Sequence, residues 1–140
     1  MAFPIDTLIV NKNGCAKLTS TSSLYVSGAA LINSGQLSLA PNDSILYKLV
    51  CAGDLKISAG GGMLLGKDAE GRGANIAVAG SIYDDNTVGD STCTGFNNPY
   101  NGNLTLYRSS QSGANTVLNF SANSNIGNLK LIGVPGRILC

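Results

Sequence analysis

The segment with the densest set of oxygen-bearing side chains runs from position 84 to position 90. It reads Asp84-Asp85-Asn86-Thr87-Val88-Gly89-Asp90, and carboxylate and amide oxygens are the ligands that Ca²⁺ prefers. The EF-hand pattern fails, because Val88 stands at a ligand position and Gly95 stands where the bidentate glutamate belongs. We therefore interpret the segment as a solvated turn. A calcium site of another geometry is the alternative, with the candidate ligands Asp84, Asp85, Asn86 and Asp90.

A second segment is similar to a phosphate-binding loop. Residues 61–67 follow the pattern Gly-x4-Gly-Lys, but Asp68 replaces the Ser or Thr that binds Mg²⁺ in such loops. The motif also requires a helix directly after the loop, and Gly71 and Gly73 would end that helix within a turn. We predict a glycine-rich loop with one solvated lysine, no bound nucleotide and no cofactor.

The residue types that carry most enzyme chemistry are missing. The chain has no His and no Trp, which removes the imidazole base of Ser-His and Cys-His systems. A carboxylate pair such as Asp84 and Asp85 could cut a glycosidic bond, but only 6% of the residues are aromatic and able to bind a sugar ring. We predict a protein that is not an enzyme. A carbohydrate-binding or carbohydrate-cleaving module with a cleft near Tyr100 is an alternative.

The four cysteines show no metal-binding or redox pattern. They are Cys15, Cys51, Cys93 and Cys140, with no Cys-x-x-Cys pair and no His to complete a zinc site. We interpret them as small buried hydrophobic residues. Cys140 is the candidate for a bond to another chain, which requires an oxidising environment.

The charge of the chain is small. Nine basic and eight acidic residues give a net charge of +1, and only 12% of the residues are charged. We therefore expect no nucleic-acid partner, because no long-range field attracts one. No apolar run approaches the ~20 residues of a membrane span, and no signal peptide is visible, so we expect no membrane partner and synthesis in a host cytoplasm.

Hydrophobic side chains recur throughout with the period of a β-strand. Segments that begin at Gly35, Gly53, Gly102 and Gly127 read Gly-polar-apolar-polar-apolar, and a variant begins at Gly73. Alternate apolar residues face one side of a strand, and the leading glycine allows a turn. No ten-residue stretch keeps the apolar stripe of a helix without an internal Gly or Pro. The pattern predicts an all-β protein with little or no helix.

Two topologies fit this pattern. The leading apolar positions are Leu24, Leu37, Leu55, Ile76, Leu104 and Leu129. Their spacing fits a short parallel β-helix, or solenoid, whose coils carry insertions. It fits an antiparallel β-sandwich or jelly roll equally well, because two strands and their loop have a similar length, and residues 104–120 are typical of a hairpin.

The pattern also suggests how the chain is divided. We expect an N-terminal arm over residues 1–14 and a single β domain over residues 15–140, with long loops near residues 60–73 and 84–103. Apolar residues near both ends are the candidates for contact with a partner. They are Phe3, Ile5, Leu8, Ile9, Val10, Ile138, Leu139 and Cys140.

The Gly-x-Leu-x-Leu units at residues 35–39 and 127–131, the Asn/Ser/Gly-rich surface and the missing leader together resemble small bacteriophage virion-surface proteins. These are capsid decoration (cement) proteins and short β-structured domains of tail fibres and spikes. The resemblance implies a structural protein at the virion surface, commonly a trimer, that binds its own copies and the major capsid protein or another virion protein. The alternatives are an extracellular fibre or adhesin subunit and a carbohydrate-binding module of a tail fibre.

Overall fold

The described part of the chain consists of β-strands. The computed structural model describes residues 5–14, 16–39, 47–64, 75–87, 95–97, 103–107, 116–122, 124–126, 128–132 and 138–139. These residues contain no helix, so the predicted all-β class is confirmed for them, and no membrane-spanning helix occurs among them. The strands are β1 (Leu8–Asn11), β2 (Lys17–Thr19), β3 (Leu24–Val26), β4 (Ala30–Ser38), β5 (Lys48–Cys51), β6 (Leu55–Leu64), β7 (Asn75–Val78), β8 (Ile82–Asp84), β9 (Gly95–Asn97), β10 (Asn103–Tyr107), β11 (Thr116–Asn119), β12 (Asn128–Ile132) and β13 (Ile138–Leu139).

All pairings between these strands are parallel. One sheet has eight strands in the order β1-β4-β6-β8-β11-β13, with β2 also beside β4 and β9 also beside β6. The other sheet has five strands in the order β12-β10-β7-β5-β3. The antiparallel pairing of a sandwich or jelly roll is therefore not found among the described strands. Strands β10 and β11 lie in different sheets, so residues 104–120 do not form the expected hairpin.

The chain alternates between the two sheets. Each strand of the five-stranded sheet is followed by a strand of the eight-stranded sheet: β3 by β4, β5 by β6, β7 by β8, β10 by β11, and β12 by β13. We call each such pair of consecutive strands a layer. A strand meets its parallel neighbour only after the chain has passed through the other sheet. Successive layers therefore stack, and the parallel pairing needs no crossover helix.

Stacking places equivalent residues of successive layers side by side. In the five-stranded sheet, one row in register consists of Leu24, Leu49, Ile76, Leu104 and Leu129, spaced 25 to 28 residues apart. Leu49, Ile76 and Leu104 are almost completely buried. Burial of each such side chain contributes about 1.5–3 kcal/mol, so the row forms a continuous part of the core. Leu37 and Leu55, which the sequence pattern placed in the same series, belong to β4 and β6 in the other sheet.

The eight-stranded sheet supplies the opposite side of the core. One row in register consists of Ala30, Leu55, Ile82 and Leu118, and another of Leu18, Leu37, Met63 and Phe96. Strands β4 and β6 are long enough to contribute to both rows, and their pairing register shifts once between the two rows, between Ile32 and Ser34. Gly60, Gly61 and Gly62 lie inside β6, and β9 lies within residues 84–103, so these parts of the two expected loops are strands.

Glycines form the corners where the chain leaves the five-stranded sheet. Gly53 N donates to Gly28 O at 2.9 Å, and Gly80 N donates to Gly53 O at 3.0 Å, so the corners of three layers are hydrogen-bonded to one another. A Cβ atom on Gly53 would lie 2.5 Å from Gly28 O, and one on Gly80 would lie 2.5 Å from Gly53 O. The layers can approach this closely only because no side chain stands at the corner.

The expected arm packs against the layers in its described part, residues 5–14. Strand β1 pairs with β4, and Ile5 forms a single parallel bridge with Val26 of β3. Val10 is buried in the core, while Ile5 and Leu8 are partly buried against it. These residues therefore stack on the first layer in both sheets.

The corner geometry predicts that Gly53→Ala destabilises the protein. The new methyl group would push against Gly28 O, and overpacking of this kind costs about 1–3 kcal/mol. The measurement is urea-induced unfolding followed by circular dichroism.

Gly60→Ala is the matched control, because a Cβ atom there meets nothing within 4 Å. We expect its free energy of unfolding to change by less than about 1 kcal/mol. Equal losses in the two variants would contradict the stacked-corner geometry.

Candidate assembly surface

Of the candidate calcium ligands, the three that the structure describes do not all face the same side of the chain. Asp84 ends β8 and is only 1% exposed, whereas the next residue, Asp85, is exposed. Asn86 is buried again, and its Nδ2 donates to Gly61 O at 2.6 Å. Asp90 lies outside the described residues. The side chains alternate between the interior and the surface as in a strand, so Asp84 and Asp85 face opposite sides.

Asp84 occupies a position that is apolar in the other layers. It stands in register with Val10, Ile32 and Ile57, which are all buried. A buried carboxylate is costly unless donors surround it. The sequence does not show that Asp84 is buried in a strand, because an aspartate in an Asp/Asn-rich segment is typical of a turn.

Hydroxyl and amide groups surround this carboxylate. Ser121 donates to Asp84 Oδ2 through both its N–H and its Oγ, each at 3.2 Å, and Ser124 Oγ also donates to Oδ2. Asn86 N donates to Asp84 Oδ1 at 3.2 Å. Gly95, with a φ of +79°, lies against the cluster, where a Cβ atom would come within 2.7 Å of both carboxylate oxygens. The cluster joins β8 to β9 and to residues 121–124, because Ser124 Oγ also accepts from Phe96 N at 2.9 Å.

The carboxylate of Asp84 is held by hydrogen bonds from within the protein. Its two oxygens already accept from four donors of the protein itself. On the surface, Asp85 Oδ1 accepts from Asn119 Nδ2 at 2.8 Å. No group of three or more His, Cys, Asp or Glu side chains that could hold a metal occurs within the described ranges.

The segment similar to a phosphate-binding loop begins inside a strand. Gly61 and Gly62 belong to β6, where they pair with Gly35 and Gln36 of β4. Lys67 and Asp68 lie outside the described residues. A phosphate-binding loop follows its strand, so the first glycines of the motif are not in the position that it requires.

Cys51 has the expected character of a small buried hydrophobic residue. It is a free thiol in the core, and its Sγ lies 3.2 Å from Gly28 O. Burial raises the pKa of this thiol above its ordinary value, so the unreactive protonated form dominates at neutral pH. The other three cysteines lie outside the described residues.

The predicted partner contacts fall into four groups. Val10 is core, and Ile5 and Leu8 pack partly against the core. Ile9 is 54% exposed and points away from the interior. Ile138 and Leu139 form β13, which pairs with β11, while Phe3 and Cys140 lie outside the described residues. Among the described candidates whose side chains are placed, Ile9 is therefore the most exposed.

Ile9 belongs to a row on the outer face of the eight-stranded sheet. We call this row the outer row; in register it consists of Ile9, Leu31, Lys56, Tyr83 and Asn119. Ile9 is exposed and Leu31 is partly exposed, so the first two positions present apolar surface to solvent. Lys56 Nζ lies 5.3 Å from the centre of the Tyr83 ring, which is within the range of a cation–π contact. The outer row thus changes from apolar to polar along the stack.

Comparison with known proteins found no match: no family model, no curated protein and no solved structure matches the chain.

The cluster at Asp84 predicts that Asp84→Asn destabilises the fold. The amide keeps one acceptor oxygen but places an NH₂ group against donors such as Ser121 N–H, and an unsatisfied buried group costs about 1–3 kcal/mol. Thermal unfolding in the presence of EDTA and of Ca²⁺ measures the effect.

Asp85→Asn is the control, because this exposed side chain should alter stability by no more than about 0.5 kcal/mol. A wild-type melting temperature that rises with Ca²⁺, and no longer does so in Asp84→Asn, would show instead that Asp84 is a calcium ligand.

Proposed function

We propose that the chain is a structural protein of a bacteriophage virion surface, built as a short parallel β-solenoid that associates laterally with copies of itself. The solenoid is supported by the alternation of the chain between two parallel sheets and by the 25 to 28 residues that separate equivalent positions. This spacing lies within the roughly 20 to 50 residues typical of repeat architectures.

A solenoid of this kind suits a structural role. Each layer contacts its neighbours, and the space between the sheets is filled by stacked side chains such as Leu49, Ile57 and Ile76. The buried carboxylate of Asp84 accepts hydrogen bonds from the protein's own donors. These contacts favour a protein that acts through its surface rather than through a reaction.

The proposed interface between copies is the apolar part of the outer row. Ile9 is one of the exposed large hydrophobic residues, and Leu31 beside it extends the apolar surface. Burial of an Ile side chain between subunits would contribute about 1.5–3 kcal/mol. We expect the apolar positions of the outer row to pack against another copy, and we take the trimer from the resemblance to virion-surface proteins.

The proposed partners are further copies of the chain and the major capsid protein or another virion protein. The chain carries little charge, so the contacts would be apolar and amide-rich rather than electrostatic. Its place would be the outside of the virion. We propose no nucleic-acid partner, no membrane partner and no cofactor.

A variant of the outer row tests assembly. Size-exclusion chromatography with light scattering should find three copies of the 14.3 kDa chain per particle. Ile9→Lys places a charge in the interface and should weaken association at least tenfold, which corresponds to about 1.4 kcal/mol. Its circular dichroism spectrum should stay that of the wild type, because Ile9 is not a core residue.

The control is Asn11→Lys, which adds the same charge at an exposed polar position of the same strand and should leave the trimer intact. Co-sedimentation with shells of the major capsid protein from the encoding phage then tests the second partner. A wild-type chain that stays monomeric at all concentrations and does not bind shells would contradict the proposal.

A fibre subunit is the second candidate, and a separate observation favours it. Leu18 and Leu129 belong to inward-facing rows, yet they are 39% and 40% exposed because they stand at opposite ends of the stack. Copies stacked end to end would cover both leucines. Such contacts do not close, so they predict filaments that grow with concentration instead of a trimer of fixed mass.

A further inference from the structure

The connection between β1 and β2 forms a loop beside the eight-stranded sheet. Asn11 ends β1 opposite Ser34 of β4, and β2 starts opposite Gln36 of the same strand. A single residue of β4 separates these two partners, whereas residues 12–16 connect the two strands. A connection of this length cannot stay in register with one residue of β4, so it leaves the sheet.

Backbone hydrogen bonds hold both ends of this loop against β4. Lys12 N donates to Ser34 O at 3.0 Å, and Gln36 N donates to Ala16 O, also at 3.0 Å. Gly35 lies between the two ends, where a Cβ atom would stand 2.5 Å from Lys12 Cβ and 2.8 Å from Ala16 O. The ends of the loop are therefore fixed, and its exposed middle turns away from the sheet.

The turn of the loop contains the exposed pair Asn13 and Gly14. Gly14 has a φ of +55°, and a Cβ atom on it would meet nothing within 4 Å. Ala16 N donates to Asn13 O at 3.2 Å, which is the long end of the normal range. Within the described ranges, the N–H of Gly14 has no acceptor. The peptide group between Asn13 and Gly14 is therefore held by one long hydrogen bond.

An asparagine followed by a glycine carries two groups that can react with each other. The backbone nitrogen of the glycine attacks Cγ of the asparagine, a five-membered succinimide ring closes, and the side-chain nitrogen leaves as ammonia with the proton of the backbone N–H. Water then opens the ring at one of its two carbonyls and leaves aspartate or isoaspartate. Glycine favours the attack because it has no Cβ beside the nitrogen and because its backbone is the most permissive.

We propose that Asn13 is a site of spontaneous deamidation in the folded protein, with Gly14 N as the nucleophile and water as the second reactant. The new carboxylate lowers the net charge of the chain from +1 to zero. The isoaspartate product also lengthens the loop backbone by one carbon. Both ends of the loop stay bonded to β4, so the rest of the fold is retained. The inference does not rest on the proposed function.

Asn11 provides the comparison within the same molecule. It is exposed like Asn13 and lies two residues before it, but the next residue is Lys12. The N–H of Lys12 donates to Ser34 O, and its Cβ lies against Gly35. Attack by this nitrogen would break the pairing of the chain with β4, so Asn11 should react much more slowly.

Peptide mapping by mass spectrometry measures both sites after incubation of the folded protein at neutral pH in water enriched in heavy oxygen. Trypsin cuts after Lys12 and thereby separates Asn11 from Asn13. We expect Asn13 to react faster by about tenfold or more, which corresponds to a barrier lower by about 1.4 kcal/mol. The product should contain one heavy oxygen atom and include isoaspartate. A second Asn-Gly pair, residues 101–102, lies outside the described residues and falls in a different tryptic peptide.

Lys12→Gly is the matched control, because it creates a second Asn-Gly sequence at a position whose N–H is bonded to β4. Asn11 of this variant should still react more slowly than Asn13, with fragment ions locating the product. A circular dichroism spectrum equal to that of the wild type shows that the variant is folded.

Three outcomes would overturn the proposal. Wild-type Asn13 could stay intact or react no faster than Asn11. Its product could be aspartate without isoaspartate, which would show direct hydrolysis without a succinimide. In the folded Lys12→Gly variant, Asn11 could react as fast as Asn13, which would show that the loop does not select the site.

Discussion

Hydrogen bonds between the corner of one layer and the corner of the next determine how closely the first three layers stack. Gly28, Gly53 and Gly80 are joined in this way, with N···O distances of 2.9 and 3.0 Å. Corners at hydrogen-bonding distance bring the flanking strands within pairing distance, and these strands run parallel and in register. The spacing of the layers is therefore fixed at positions that carry no side chain at all.

The side-chain rows follow from this register. Each inward-facing row repeats one environment from layer to layer, so most of these rows repeat apolar residues, as Leu24, Leu49, Ile76 and Leu104 do. Asp84 breaks the rule, since its row is otherwise Val10, Ile32 and Ile57. The polar groups of Ser121 and Ser124 compensate for the buried carboxylate. The position that looked most like a metal site in the sequence is thus a polar insertion into an apolar row.

Much of the fold could be predicted from the alternation of apolar and polar residues alone. The features that could not be predicted have physical reasons. A strand has the same two-residue period in parallel and antiparallel sheets, so the sequence left both arrangements open. The sequence does not separate Leu37 and Leu55 from the series of the other sheet, because the Gly-x-Leu-x-Leu pattern is the same in both sheets. It predicts Val10 as a partner contact because a sequence does not show whether its first strand is paired. Ser121 and Ser124 gave no signal, since serine is equally common in solvated turns.

The stacked corners can be measured directly by NMR couplings through their hydrogen bonds. A long-range HNCO experiment on the labelled protein should show cross-peaks from Gly53 N to the carbonyl carbon of Gly28 and from Gly80 N to that of Gly53. If these amides instead couple to other carbonyls, or exchange with solvent as fast as exposed amides, the layers do not stack as described here.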